Sequence, residues 1–252
     1  MEIIKPLYKR NGFQTGGMRA LGYSLKPFFG CKCDVPETIR DLTEPVVFVC
    51  NHYELFGPLA VALSLPLNYR VWTNSIVVNA TNSVEKMIVG FQHTFPFLTE
   101  NGARKTLNFL APAVEKVMSR FQPIAVYHDN LAKQKHAIED TVQAMTEGSN
   151  IVLFPETALP KYSKGWVTEF FRSFALIGEY YRRKTGDSAL FCPVYVDKKH
   201  RRLQFGEPVR YGEGKASVEC GKLVEQLHNR LMTMAEAAMG PAPLPAPGET
   251  CL

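Results

Sequence analysis

Apolar residues recur along this chain in two rhythms. Continuous runs at 46–50 (Val-Val-Phe-Val-Cys), 124–127, 151–154 and 190–196 are rich in β-branched and aromatic residues, the pattern of strands buried on both faces. Between them the spacing changes to three and four, which predicts helices over 101–121, 134–147, 165–184 and 218–238. Gly57-Pro58 reads as a helix start, and Gly148 and Gly186 read as helix stops. Pro112 predicts a kink or a break inside the 101–121 helix. A further strand at 202–205 follows the charged turn 197–201, while residues 73–92 fit neither rhythm cleanly. At the front, Met18, Leu21, Leu25, Phe28 and Phe29 form the apolar stripe of a short amphipathic helix that Pro27 should end. Strands alternating with helices predict a single α/β domain with a mostly buried mixed sheet flanked by helices. The expected layout is an entry segment at 1–33, the α/β domain at 34–238 and a Pro-rich, extended tail at 239–252.

Composition changes this picture little. Length (252 residues), 46% hydrophobic and 21% charged content are those of an ordinary globular chain. Charge changes it more: residues 1–33 hold six bases and one acid, and the rest balances 23 bases against 23 acids. The whole +5 excess therefore sits in the entry segment, as expected of a surface that meets an anionic partner. The longest uncharged run, Leu55 to Tyr69, would reach only about 22 Å as a helix, short of a ~30 Å hydrocarbon core. The start lacks the apolar stretch of a secretory signal. The six cysteines show no metal-finger spacing, so free thiols and no metal are expected.

Candidate chemistry lies where the apolar runs end. The first run delivers Asn51-His52 at its carboxyl end, where ligands of open α/β sheets bind and where an imidazole can act as general base. Glu54, two residues on, can hold the other ring N–H of that imidazole. The third run ends in Phe154-Pro155-Glu156; Pro155 stops the strand, so Glu156 should emerge at the same edge. The second run ends in Tyr127-His128 and should reach that edge too. GxSxG, GxxxxGK[ST] and GxGxxG motifs are absent. The cluster Lys198-Lys199-His200-Arg201-Arg202 reads as a solvated hairpin turn and carries no nucleic-acid-binding signature.

Taken in order, Asn51-His52, Tyr127-His128, Phe154-Pro155-Glu156-Thr157 and Cys192-Pro193-Val194-Tyr195 resemble the lysophospholipid/glycerolipid acyltransferase family, which includes bacterial 1-acylglycerol-3-phosphate acyltransferases. The resemblance covers about two-thirds of the chain and is that of a diverged bacterial-type member. It implies transfer of a fatty acyl group from acyl-CoA or acyl carrier protein to a hydroxyl of a lysophospholipid or glycerol-phosphate-type acceptor, without metal or organic cofactor. His52 is then the general base. Asn51, Gly57, Tyr127, His128, Phe154, Pro155 and Glu156 belong to the acceptor site, with Lys161 and Lys164 as nearby cations. Gly57 stands where the family has an aspartate, His128 where it has an arginine and Thr157 where it has a glycine. A branch with an NHxExxGP pattern implies that Glu54 takes the aspartate's role. The interval from His52 to Glu156 is longer than in compact members, and residues 66–122 are expected to contain an insertion or lid. Beside a lipid acceptor, the entry segment is expected to anchor a peripheral enzyme on the cytoplasmic face of an anionic membrane. The competing expectation is a lipid-binding protein of the same fold that has lost catalysis.

Overall fold

A computed structural model describes residues 18–53, 56–95, 97–127, 130–156 and 166–240. The chain runs α1 (Met18–Phe29), β1 (Lys32–Cys33), α2 (Glu37–Arg40), β2 (Val46–Cys50), α3 (Phe56–Ser64), β3 (Tyr69–Asn74), α4 (Ser75–Val78), α5 (Val84–Thr94) and α6 (Glu100–Ser119). It continues through β4 (Ile124–Val126), α7 (Leu131–Thr146), β5 (Asn150–Leu153), α8 (Leu176–Thr185), β6 (Leu190–Asp197), β7 (Arg202–Phe205), β8 (Val209–Arg210) and α9 (Ala216–Met239).

The predicted apolar strands pair side by side. The sheet order is β1-β7-β6-β2-β5-β3-β4, with β8 also on β6. Strands β6, β2, β5, β3 and β4 are mutually parallel, whereas β7 and β8 run antiparallel to β6. All five residues of β2 and all eight of β6 are buried, which explains why those runs are apolar without alternation. One face carries Val47, Val49, Ile151, Leu153, Phe191 and Tyr195, packed in one core with Ile138 of α7, Ile177 of α8 and Leu227 of α9. The other face carries Val46, Phe48, Cys50, Val152, Cys192 and Val194, packed with Phe56, Ala60 and Val61 of α3. The result is a single α/β domain with a mixed sheet between helices.

Pro193 sits inside β6 without breaking it. The outer edge of β6 pairs with β8 through Leu190 and Phe191 and with β7 from Val194 onward. Pro193 falls in the gap between them, where a missing N–H leaves no ladder partner unsatisfied. Asn150 ties the strand starts together. Its Oδ1 accepts the Val46 N–H (2.9 Å) and its Nδ2 donates to the Asn68 carbonyl (2.9 Å).

Two expectations change. The 165–184 helix is confined to α8, after a 3-10 turn at Arg172–Ala175; residues 166–171 are not helical. Their backbone donors go elsewhere: Phe171 N–H donates to the Pro155 carbonyl (2.9 Å), and Thr168 N–H donates to Glu156 (3.3 Å). Helix α1 continues through Pro27 to Phe29, and α6 runs unbroken through Pro112. The span 66–122 contains a sheet strand, β3, so it is not wholly an insertion. Its helical part forms a separate apolar cluster of Ala80, Val84, Ile88, Ala103, Leu107 and Ala111. Residues 1–17 of the entry segment and 241–252 of the tail lie outside the described residues. No described helix is long and apolar enough to cross a membrane.

Candidate active site

Strand register creates the site. Val49 pairs with Leu153 across β2 and β5, so the residues three positions further on, His52 and Glu156, leave the sheet side by side. The His52 backbone N–H donates to Glu156 Oε1 at 2.9 Å. The other carboxylate oxygen accepts Thr168 Oγ1–H (3.0 Å) and Thr168 N–H (3.3 Å). Glu156 also forms an antiparallel bridge with Phe170. One carboxylate thus joins the exits of β2 and β5 to segment 168–171. Burial pushes the Glu156 carboxyl above its ordinary range, opposed by these hydrogen bonds and by His228.

The residues around His52 act as its frame. Asn51 is 1% exposed, and its Oδ1 accepts Val196 N–H at 2.6 Å while Nδ2 donates to the Val196 carbonyl at 3.4 Å. Its polar atoms are therefore directed to β6, a positioning arrangement. Tyr53 takes a left-handed backbone (φ 45°), a strained conformation for a residue with a bulky side chain. Its carbonyl accepts Phe56 N–H (3.1 Å), closing the turn into α3. Gly57 lies so close that a Cβ built there would be 2.0 Å from the His52 carbonyl oxygen and 2.9 Å from that of Asn51. Position 57 has no room for any side chain.

The His52 side chain is exposed, and its ring meets Phe154 edge-on at 5.5 Å between centroids. The β6–β7 turn brings positive charge beside it: Lys198 Nζ lies 5.7 Å from the Tyr53 ring centroid and 5.5 Å from that of Phe56. In the same turn, His200 Nδ1 is 2.7 Å from Oδ2 of the buried Asp197. Arg201 also lies over the Phe56 ring, 5.8 Å from its centroid, and donates to the last carbonyls of α1, those of Pro27 (2.9 Å) and Phe28.

Of the sequence-predicted residues, Asn51, His52, Gly57, Phe154, Pro155 and Glu156 are brought together. Tyr127 reaches the same sheet edge on β4, three strands from β2, about 14 Å away at ~4.8 Å per strand. There its ring carries Lys133 Nζ at 4.5 Å. Glu54, His128, Lys161 and Lys164 lie outside the described residues. Sequence reasoning missed Thr168, whose setting inside an apolar, helix-like stretch gave no signal, and Lys198, which it left in a solvated turn. Among the described residues no group of three or more His, Cys, Asp or Glu is placed to hold a metal ion. Burial pushes the thiols of Cys33 and Cys192 up to about 12 and holds that of Cys50 well above its ordinary value, which suits packing and not nucleophilic chemistry. No protein-family model, curated protein sequence or solved structure matches this chain.

Proposed function

We propose that this chain is an O-acyltransferase that moves a fatty acyl group from acyl-CoA or acyl carrier protein to a hydroxyl of a lysophospholipid or glycerol-phosphate-type acceptor. The observation that carries the reading is the pairing of His52 with Glu156: an exposed imidazole at the carboxyl edge of a parallel sheet, its backbone fixed by a carboxylate from the neighbouring strand. This is the arrangement expected if Asn-His and Phe-Pro-Glu form one site, as in glycerolipid acyltransferases.

In this mechanism His52 removes the acceptor's hydroxyl proton as the oxygen attacks the thioester carbonyl. A C–O bond forms, the tetrahedral intermediate collapses, the C–S bond breaks, and the imidazolium returns the proton to the departing thiolate. Glu54 orients the ring, because Gly57 has no space for a carboxylate. Pro58 has no N–H and Phe56 N–H is bound to the Tyr53 carbonyl, so the oxyanion donor in the first turn of α3 is the Gly57 amide. Lys198 supplies positive charge on the acceptor side.

In α1, Met18, Leu25 and Phe29 pack on the protein's own core, while Leu21 and Phe28 are 40% and 68% exposed. The exposed pair and the basic entry segment constitute the surface that meets an anionic bilayer at the cytoplasmic face. The test is transfer from acyl-CoA and acyl carrier protein to a panel of lysolipids, comparing wild type with His52→Ala and Glu54→Gln. Product should vanish with His52→Ala and fall strongly with Glu54→Gln. Undiminished product in His52→Ala refutes the base, and no product from wild type with any donor selects the lipid-binding reading.

A further inference from the structure

Beside Glu156, on the α7–α9 side of the sheet, two buried polar atoms have no hydrogen-bond partner among the described residues: Tyr195 Oη and His228 Nε2. A third, Arg182 Nε, belongs to a guanidinium already bound to Glu179 and the Glu213 carbonyl. Tyr195 is 0% exposed, in a chain whose other buried polar groups are matched carefully, as Asn51 and Asn150 are. An unmatched buried hydroxyl is destabilising, and native structures keep such groups when something else binds them.

Both atoms lie near the candidate site. Tyr195 feels the charges of Asp197 and Glu156 and the nearby Tyr53, and burial pushes its phenol far up, so it remains a neutral donor and acceptor. His228 packs its ring edge-on against Phe170 at 5.1 Å, and Phe170 forms the bridge with Glu156. Phe170 belongs to the segment that Glu156 and Pro155 hold, which sets the imidazole beside the candidate site. A phenol O–H paired with an imidazole nitrogen matches an alcohol, which donates one hydrogen bond and accepts another.

We propose that Tyr195 Oη and His228 Nε2 form an inner subsite, behind Glu156, that binds a second hydroxyl of the acceptor, the one that is not acylated. The proposal takes its acceptor from the acyl-transfer reading, and it makes the substrate a diol or larger polyol headgroup. A water molecule alone would satisfy the same two atoms, and the experiment separates these cases.

The probes are a 1-acylglycerol and the 1-acyl ester of 1,2-propanediol with the same chain, presented in mixed micelles. Binding is read from the ligand-induced rise in melting temperature, and KM is read wherever turnover occurs. Wild type should bind the diol about five- to tenfold more tightly than the mono-alcohol, the contribution of one neutral hydrogen bond. Tyr195→Phe should abolish that preference while melting, unliganded, no lower than wild type. His228→Phe, which keeps a ring against Phe170, should reduce the preference in the same way. The same preference in a protein that transfers no acyl group would leave the subsite standing and overturn the enzymatic reading. A wild type indifferent to the second hydroxyl, or a Tyr195→Phe variant that keeps the preference, would overturn the subsite and leave only bound water.

Discussion

On the acyl-transfer reading, placing at position 57 the aspartate that glycerolipid acyltransferases carry ought to raise transfer if sequence pattern alone decided the outcome; the structure predicts the opposite. Even the smallest side chain, the methyl group of Gly57→Ala, puts a Cβ 2.0 Å from the His52 carbonyl oxygen and 2.7 Å from its carbonyl carbon. Real Cβ contacts stay above 3.0 Å, so the start of α3 and the His52 backbone must separate by roughly 1 Å. Overpacking of this kind costs about 1–3 kcal/mol, and the obstructing atoms are backbone, which places the cost near the upper end. For a chain of this size about 3 kcal/mol corresponds to a fall in melting temperature of roughly 6–12 °C. A displacement of about 1 Å at the base lowers transfer on the order of a hundredfold. Gly57→Asp should do at least as much harm in both respects. The assay is melting followed by circular dichroism, together with acyl transfer under saturating donor. A Gly57→Ala variant melting within about 2 °C of wild type, or a Gly57→Asp variant with faster transfer, would refute the close approach of α3 to His52.

Two further outcomes follow from the same geometry. Because burial raises the Glu156 carboxyl above its ordinary 4.5, this group's contribution to stability is present below that value and lost as pH rises through the raised one. The unfolding free energy of wild type relative to Glu156→Gln, measured by urea titration from about pH 4 to pH 8, should therefore decline with pH; a flat or rising difference would refute the burial argument. Replacing Leu21 and Phe28 by Ser removes the exposed apolar residues of α1, each worth about 1.5–3 kcal/mol when fully buried. Co-sedimentation with anionic vesicles should fall at least tenfold while melting is preserved, and unchanged sedimentation would remove α1 from the membrane surface.

The sheet was legible because its central strands are buried on both faces and so read as unbroken apolar runs, and because each ends abruptly in polar residues. That is why His52 and Glu156 could be assigned to one edge. Their hydrogen bond depends on β2 and β5 being neighbours, and Tyr127 shows the complement: the same edge was expected, but strand order puts it three strands from β2. Strand β3 was hidden by its own composition. Its burial is uneven, with Arg70 reaching out to the Gln122 carbonyl (2.9 Å), so no clean period marks it. Segment 166–171 has helical spacing of aromatic residues yet is not helical. There, long-range acceptors at Pro155 and Glu156 outcompete the i−4 carbonyls, and local periodicity does not register them.

These contacts divide the sequence pattern into chemistry and support. Asn51 directs both polar ends of its side chain to Val196; Glu156 grips the His52 amide; Gly57 allows α3 to press on the His52 carbonyl. Each contact reaches the backbone at 51–52 or the strand beside it, and each comes from a different element: β6, the end of β5, and α3. Three independent constraints on the Asn51–His52 pair, next to a strained Tyr53, hold an exposed imidazole in place at a sheet edge. Conformational strain of about 1–3 kcal/mol persists only where surrounding contacts enforce it. On the acyl-transfer reading, most of the recognisable motif thus serves to aim His52. The residues that decide which alcohol is acylated then lie away from the Asn-His and Phe-Pro-Glu blocks, in the turn that carries Lys198 and in the pair Tyr195 and His228.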